Sequence, residues 1–157
     1  MVKVITFGNF KGGTGKTTNC SLIAYQLANK GYKTLLVDLD PQANATALYL
    51  RTKQRLTNEV VTFDKTLMSA IADNNLSDII INIKENLYLL PSFADFTSYP
   101  LFLEKMFPDS QLDRVTYFNE LLSEIKNDFD FVLIDIPPTL STYTDSALLA
   151  SDYPVIV

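Results

Sequence analysis

Apolar and polar positions fall into blocks along this chain, and their period changes from one block to the next. Val2–Phe7 is rich in β-branched and aromatic residues and predicts a short buried strand. Cys20, Ile23, Ala24, Leu27 and Ala28 recur at i, i+3, i+4, i+7 and i+8, a spacing that places them on one helical face. Gly31 follows one step beyond that run and predicts the helix end, because glycine readily takes the left-handed conformation that closes a helix. Thr34–Leu39 is a continuous apolar strand ending in Asp38 and Asp40, before Pro41. Strand, glycine-rich loop, helix and strand make a βαβ unit, which predicts a parallel sheet covered on both faces.

Further along, Arg51–Thr62 shows no apolar period, carries Arg51, Lys53 and Arg55, and reads as a loop whose three bases form a solvated turn. Thr66–Ala72 predicts a helix, and Ile79–Ile83 and Leu87–Leu90 predict strands, the second closed by Pro91. Phe96–Asp113, interrupted by Pro100 and Pro108, has no legible pattern. Val115–Lys126 is amphipathic, with Val115, Phe118, Leu121, Leu122 and Ile125 on one side. Phe131–Ile136 is a strand that ends at Asp135 and runs into Pro137 and Pro138, and a helix over 144–151 precedes a strand starting near Tyr153. With no repeat, low-complexity tract or linker, residues 1–157 read as one domain. The last strand meets Val157 with no polar ending, so the expectation is a sheet that is incomplete at its C-terminal side.

Composition narrows the chemistry. The 157 residues include no histidine, no tryptophan and one cysteine, Cys20, which removes Ser/His/Asp and Cys/His triads, histidine-bearing zinc sites and disulfide frameworks. Carboxylates, lysines, hydroxyls, backbone amides or a bound metal ion remain. A hydrophobic content of 47% is ample for a core, and the net charge of -5 does not advertise a polyanion partner for the surface as a whole. No apolar run approaches the ~18 residues of a membrane span, and the expected compartment is the cytosol.

Four of the five glycines, Gly8, Gly12, Gly13 and Gly15, cluster between the first strand and the first helix, in the text Gly8 Asn9 Phe10 Lys11 Gly12 Gly13 Thr14 Gly15 Lys16 Thr17 Thr18. Glycines there let main-chain amides turn inward and approach a polyphosphate, while the following helix offers its unpaired N-terminal amides and positive dipole end. Lys16 is placed to reach the β- and γ-phosphates, and the Thr17 hydroxyl to bind magnesium. The strict GxxxxGK[ST] pattern is broken, since Phe10 stands at its first glycine, and a second lysine, Lys11, precedes the glycine pair. Asp135, at the end of an apolar strand, matches the magnesium-associated acid of a Walker B strand. Asp38 and Asp40 end the second strand, and ligands of open α/β sheets bind outside the carboxyl ends of the strands.

On these residues the chain resembles the ParA family of partition ATPases, a deviant Walker A branch of the P-loop NTPases. Lys11–Thr18 (KGGTGKTT), Val37–Gln42 (VDLDPQ, continued by Ala43 Asn44 Ala45 Thr46) and Phe131–Pro138 (FVLIDIPP) carry the likeness, which extends in order and spacing from Met1 to Val157. The resemblance implies an α/β P-loop fold, with a mostly parallel central sheet flanked by helices on both faces and truncated at its C-terminal side. It also implies a weak, partner-stimulated, magnesium-dependent ATPase that acts as a nucleotide-dependent dimer switch in plasmid or chromosome segregation. Lys11, Gly12, Gly13, Thr14, Gly15, Lys16, Thr17 and Thr18 would hold ATP. Lys11 would be the signature lysine, reaching the partner subunit's nucleotide. Lys16 would serve catalysis with it, and Asp40 would position the attacking water. Thr17 would bind Mg2+ directly, with Asp38 and Asp135 holding its shell.

The implied partners are a second copy of the chain, a centromere-binding adaptor of ParB type, and non-specific DNA in the full-length protein through a surface outside these residues, with no membrane. The resemblance implies a cytoplasmic protein, nucleoid-associated when complete. Ser141 stands after Leu140 where many relatives have glycine, implying a stiffer loop after Asp135. Two alternatives belong beside this reading: a MinD-like membrane-associated positioning ATPase, and a P-loop ATP-dependent ligase or synthetase acting on a small carboxylate. A nitrogenase-reductase-like protein would need cluster-ligating cysteines from each subunit, and Cys20, on the packing face of the first helix, reads as core.

Overall fold

The structure, a computed structural model, describes every residue from Met1 to Val157. Six strands form one sheet: β1 (Lys3–Gly8), β2 (Thr34–Asp38), β3 (Ile81–Lys84), β4 (Leu87–Leu90), β5 (Phe131–Asp135) and β6 (Tyr153–Ile156), in the order β3-β4-β2-β5-β1-β6. Every neighbouring pair is parallel except β3 and β4, which form an antiparallel hairpin at one edge. The α-helices are α1 (Lys16–Asn29), α2 (Asn44–Thr57), α3 (Leu67–Ala72), α4 (Tyr99–Met106), α5 (Gln111–Ser123) and α6 (Thr142–Ala150).

Successive side chains of a strand point to opposite faces, so each central strand feeds two cores. Leu35, Val37, Leu39, Val132 and Ile134 pack with residues of α3 to α6, including Leu67, Ile71, Tyr99, Leu103, Phe118 and Leu122. Phe7, Leu36, Leu89 and Leu133 pack on the other face against Cys20, Ala24 and Ala28 of α1 and Ala45 and Tyr49 of α2. The expected mostly parallel α/β sheet with helices on both faces is therefore the observed architecture.

One consequence of the strand order positions the chemistry. β1 and β2, although joined through α1, are not neighbours; β5 lies between them. Phe7 of β1, Asp135 of β5 and Asp38 of β2 consequently share one register row at the carboxyl edge of the sheet. The glycine-rich loop leaves β1 from that edge, and Asp40 follows β2 there.

Several sequence expectations need correction. The loop predicted for Arg51–Thr62 is helical through Thr57, so Arg51, Lys53 and Arg55 ride on α2. This helix buries only Ala45, Thr46 and Tyr49, all in its first half, and its later turns bury no residue and carry no apolar period to reveal them, Lys53 lying against β3 with its ammonium on the Asn82 carbonyl. Strong helix formers such as Arg, Lys, Gln and Leu sustain those turns. On α1 the packed residues are Cys20, Ser21, Ala24 and Ala28, whereas Ile23 is exposed, so the buried stripe is narrower and more polar than the apolar spacing implied. The strand predicted from Ile79 begins at Ile81, after a 3-10 turn over Leu76–Ile79. The illegible stretch after Phe96 completes a 3-10 turn (Ala94–Ser98), then forms α4, with Pro100 in its first turn where a missing amide costs nothing, and the start of α5. Ser110 caps α5, accepting from the Asp113 amide. Gly31 does close α1: at φ +88° it donates its amide to the Ala28 carbonyl.

Candidate nucleotide site

The loop between β1 and α1 is built on left-handed glycines. Gly13 and Gly15 have φ of +76° and +87°, a region a side chain enters only with strain. At Gly12 and Gly13 an added Cβ would meet nothing within 4 Å, so the loop has open space over its backbone. Gly15 occupies the N-cap of α1 and brings no side-chain cap, which leaves the first-turn amides of that helix for an external acceptor. Asn9 braces the loop: its Oδ1 accepts the Lys11 amide at 2.9 Å and its Nδ2 donates to the Val157 carbonyl.

Lys16 starts α1 and is 6% exposed. Its ammonium donates only to the Lys11 carbonyl, at 3.4 Å, and the chain's ion pairs all belong to Lys53 and Lys65. A buried ammonium without a carboxylate is an unfavourable arrangement that an anion in the loop would relieve. Lys11, Gly12 and Gly13 are exposed, as is Thr18; Thr14 is half-buried, its hydroxyl 3.5 Å from the Lys11 carbonyl.

Across the loop, the Thr17 hydroxyl donates to Asp135 Oδ2 at 2.7 Å, while Asp135 Oδ1 is buried with no partner at all. Burial drives the Asp135 carboxyl up to about 7; the Thr17 hydrogen bond opposes this, nearby Asp38 and Asp40 add to it, and Lys16 draws it back. Asp38 is raised to about 6, again chiefly by burial and against its hydrogen bonds from Thr46 and Asp40. Its Oδ2 accepts both the amide and the hydroxyl of Thr46, at 2.9 and 2.7 Å, and its Oδ1 accepts the Asp40 amide at 3.1 Å. Asp40 is 8% exposed; its Oδ1 accepts the Gln42 amide at 2.8 Å and its carbonyl the Ala43 amide at 2.8 Å, a turn that delivers the chain into α2. The Cys20 thiol is fully buried and pushed up by burial and by the two aspartates Asp135 and Asp38, so it packs as a small apolar group.

The fold thus brings Lys16, Thr17, Asp38, Asp40 and Asp135 to one edge. Their chemistry fits a magnesium–polyphosphate ligand. Nowhere do three or more Asp, Glu or Cys side chains converge to cage a metal ion. Magnesium does not require such a cage, since it keeps several waters and takes one or two protein oxygens plus phosphate. Thr17 Oγ1 and the unpartnered edge of Asp135 are the oxygens that would be available to it. Asp38 differs from Asp135 in having both oxygens already engaged by the backbone and by Thr46. Sequence reading did not single out Asn9, Thr46 or Ser92; the Ser92 amide donates to Thr46 Oγ1 at 2.9 Å. Thr46 stands in the conspicuous stretch after Gln42, but only the fold shows that it faces back to Asp38.

Comparison with known proteins gives a consistent picture. The AAA domain family profile matches residues 2–157. The chromosome-partitioning ATPase Soj of Treponema pallidum is 34% identical over 152 residues, which is 97% of this chain and 55% of that protein. A plasmid partition protein of Borrelia burgdorferi solved with AMPPNP superposes with a TM-score of 0.81 at 29% identity, covering 99% of this chain and 62% of that one. Cobyrinic acid a,c-diamide synthase of Mycobacterium smegmatis, with ADP and magnesium, matches at a TM-score of 0.81 and 27% identity, covering 99% and 59%. The chain therefore spans little more than half the length of the curated relatives it matches.

Proposed function

Because this chain belongs to the AAA domain family, in its ParA-type partition branch, we propose that residues 1–157 form a single P-loop ATPase domain that binds MgATP in the loop from Lys11 to Thr18. The observation that carries the reading is Lys16: a buried cation with no carboxylate partner, at the uncapped N-terminus of a helix, beside a glycine loop with room for an anion. The nucleotide complexes of the Borrelia and Mycobacterium proteins support it by likeness.

In this proposal the amides of Gly12 to Thr17 take the phosphate oxygens and Lys16 neutralises the β/γ edge. Thr17 and Asp135 hold the metal, with Asp38 behind them. When bound, magnesium neutralises charge developing on the transferred phosphoryl group. Asp40, at the same edge, orients the attacking water. Lys11 is exposed and unpaired, as a residue must be if it is to reach a nucleotide held by a second copy. A cation supplied in trans changes phosphoryl-transfer rates by ~10³ to 10⁵ in related NTPases, so hydrolysis would be slow until two copies associate. The result is a dimer switch serving plasmid or chromosome segregation in the cytoplasm, stimulated by an adaptor of ParB type. In the full-length protein it would be nucleoid-associated through non-specific DNA contacts outside these residues.

Sedimentation velocity with MgATP against MgADP tests this. A shift to dimer with MgATP alone supports the switch, and identical monomer profiles would contradict it. The likeness to the Mycobacterium synthase favours a second reading, an ATP-dependent ligase or synthetase acting on a small carboxylate. That reading predicts monomeric turnover that depends on an added carboxylate.

A further inference from the structure

The helix that follows the Asp40 turn is capped in an unusual way. Its N-cap, Ala43, is left-handed at φ 54° and offers no side chain to the free amides of the first turn. Asp38, from the end of β2, does the capping: its Oδ2 accepts the Thr46 amide at 2.9 Å. The same oxygen accepts the Thr46 hydroxyl at 2.7 Å, and that hydroxyl in turn accepts the Ser92 amide at 2.9 Å, just past β4. The other Asp38 oxygen accepts the Asp40 amide. Asp38, Thr46 and Ser92 are 0%, 4% and 1% exposed, so no solvent competes for these bonds. The Thr46 hydroxyl is the one group in this chain that both donates to Asp38 and accepts from Ser92. It ties the ends of β2 and β4 to the first turn of α2 around residue 40.

We propose that Thr46 is a positioning residue for hydrolysis: through Asp38 it fixes the main chain of Asp40, so that the Asp40 carboxylate faces the terminal phosphate. The inference rests on the reading of this edge as a MgATP site. It assigns to Asp38 the task of orienting Asp40 in addition to any contact with the metal shell. Thr46 itself is buried, its hydroxyl engaged by Asp38 and the Ser92 amide.

The test compares the wild-type chain with Thr46→Val, which keeps the shape and deletes the hydroxyl, and Thr46→Ser, which restores it. Affinity is read with a fluorescent ATP analogue and magnesium, turnover by phosphate release, and rigidity by hydrogen exchange at the Asp40 and Ser92 amides in nucleotide-free protein. The expected result for Thr46→Val is kcat lower by about 10- to 100-fold with KM and analogue affinity within about threefold, and clearly faster exchange at both amides. Thr46→Ser should return kcat to within about threefold of wild type and restore slow exchange. Unchanged kcat in Thr46→Val overturns the proposal. So does a loss of affinity that parallels the loss of kcat, or a failure of Thr46→Ser to rescue, because either result would mark Thr46 as merely structural. Wild-type chain that binds no analogue would instead sink the nucleotide reading. In that case unaltered exchange at Asp40 in Thr46→Val would separately refute the tie between Thr46 and the Asp40 main chain.

Discussion

Thr17, at the start of α1, and Asp135, at the end of β5, meet through a 2.7 Å hydrogen bond although 118 positions separate them. The bond exists because β5 is inserted between β1 and β2, bringing its last residue under the N-terminus of the helix that leaves β1. It occupies one oxygen of Asp135 and leaves the other buried and unpartnered. Thr17→Ala should therefore bind nucleotide at least about tenfold more weakly in magnesium while losing little of the metal-free affinity. Calorimetric titration with and without Mg2+ measures both.

The raised Asp135 carboxyl has a consequence for stability. A carboxyl held at about 7 when folded, against 3.8 when unfolded, favours the protonated native state. Its contribution to stability is full below pH 4 and is lost as pH rises through about 7. The difference in thermal midpoint between wild type and Asp135→Asn, nucleotide-free, should therefore move against wild type from pH 4 to pH 8. A difference that stays flat over that range would show that Asp135 is ionised throughout.

Lys16→Ala should abolish measurable ATP binding, a loss of at least about 100-fold, without lowering the thermal midpoint of the nucleotide-free chain. The buried ammonium hydrogen-bonds only to a carbonyl and forms no ion pair, so its removal relieves about as much desolvation as it loses in attraction to nearby Asp135. Retained ATP affinity would remove Lys16 from the site.

Lys11→Ala and Asp40→Ala should separate the steps of the proposed cycle. Lys11 is exposed and forms no ion pair, so its removal should leave affinity within about threefold and stop ATP-driven dimerisation in sedimentation. Asp40→Ala should bind ATP and dimerise yet release phosphate at least about 100-fold more slowly. Persistent turnover in that variant would assign the water to another group.

Local signals made much of this legible in the sequence. The glycine cluster, the apolar runs ending in Asp38 and Asp135, and Gly31 after the α1 period each combine residue type and spacing in a few consecutive positions. α2 escapes the sequence reading entirely: residues 44–50 carry no predicted element, and the second half buries nothing, so no period exists to be read from Arg51 to Thr57. Ile23 was assigned to the wrong surface because apolar spacing cannot tell which neighbour arrives to cover it; Ser21 is buried in that helix while Ile23 is not. The Thr46 contacts were invisible for a different reason. They join the ends of β2 and β4 to the start of α2, and their pairing depends on strand order, which no local pattern encodes.

The central claim is that the main chain from Gly12 to Thr17 grips a triphosphate beside Lys16. Backbone amide NMR of the 157-residue chain during titration with MgATP tests it most directly. The account predicts large saturable shifts at Gly12, Gly13, Gly15, Lys16 and Thr17, absent in Lys16→Ala. Saturable shifts confined to other parts of the chain, with these amides unmoved, would contradict it.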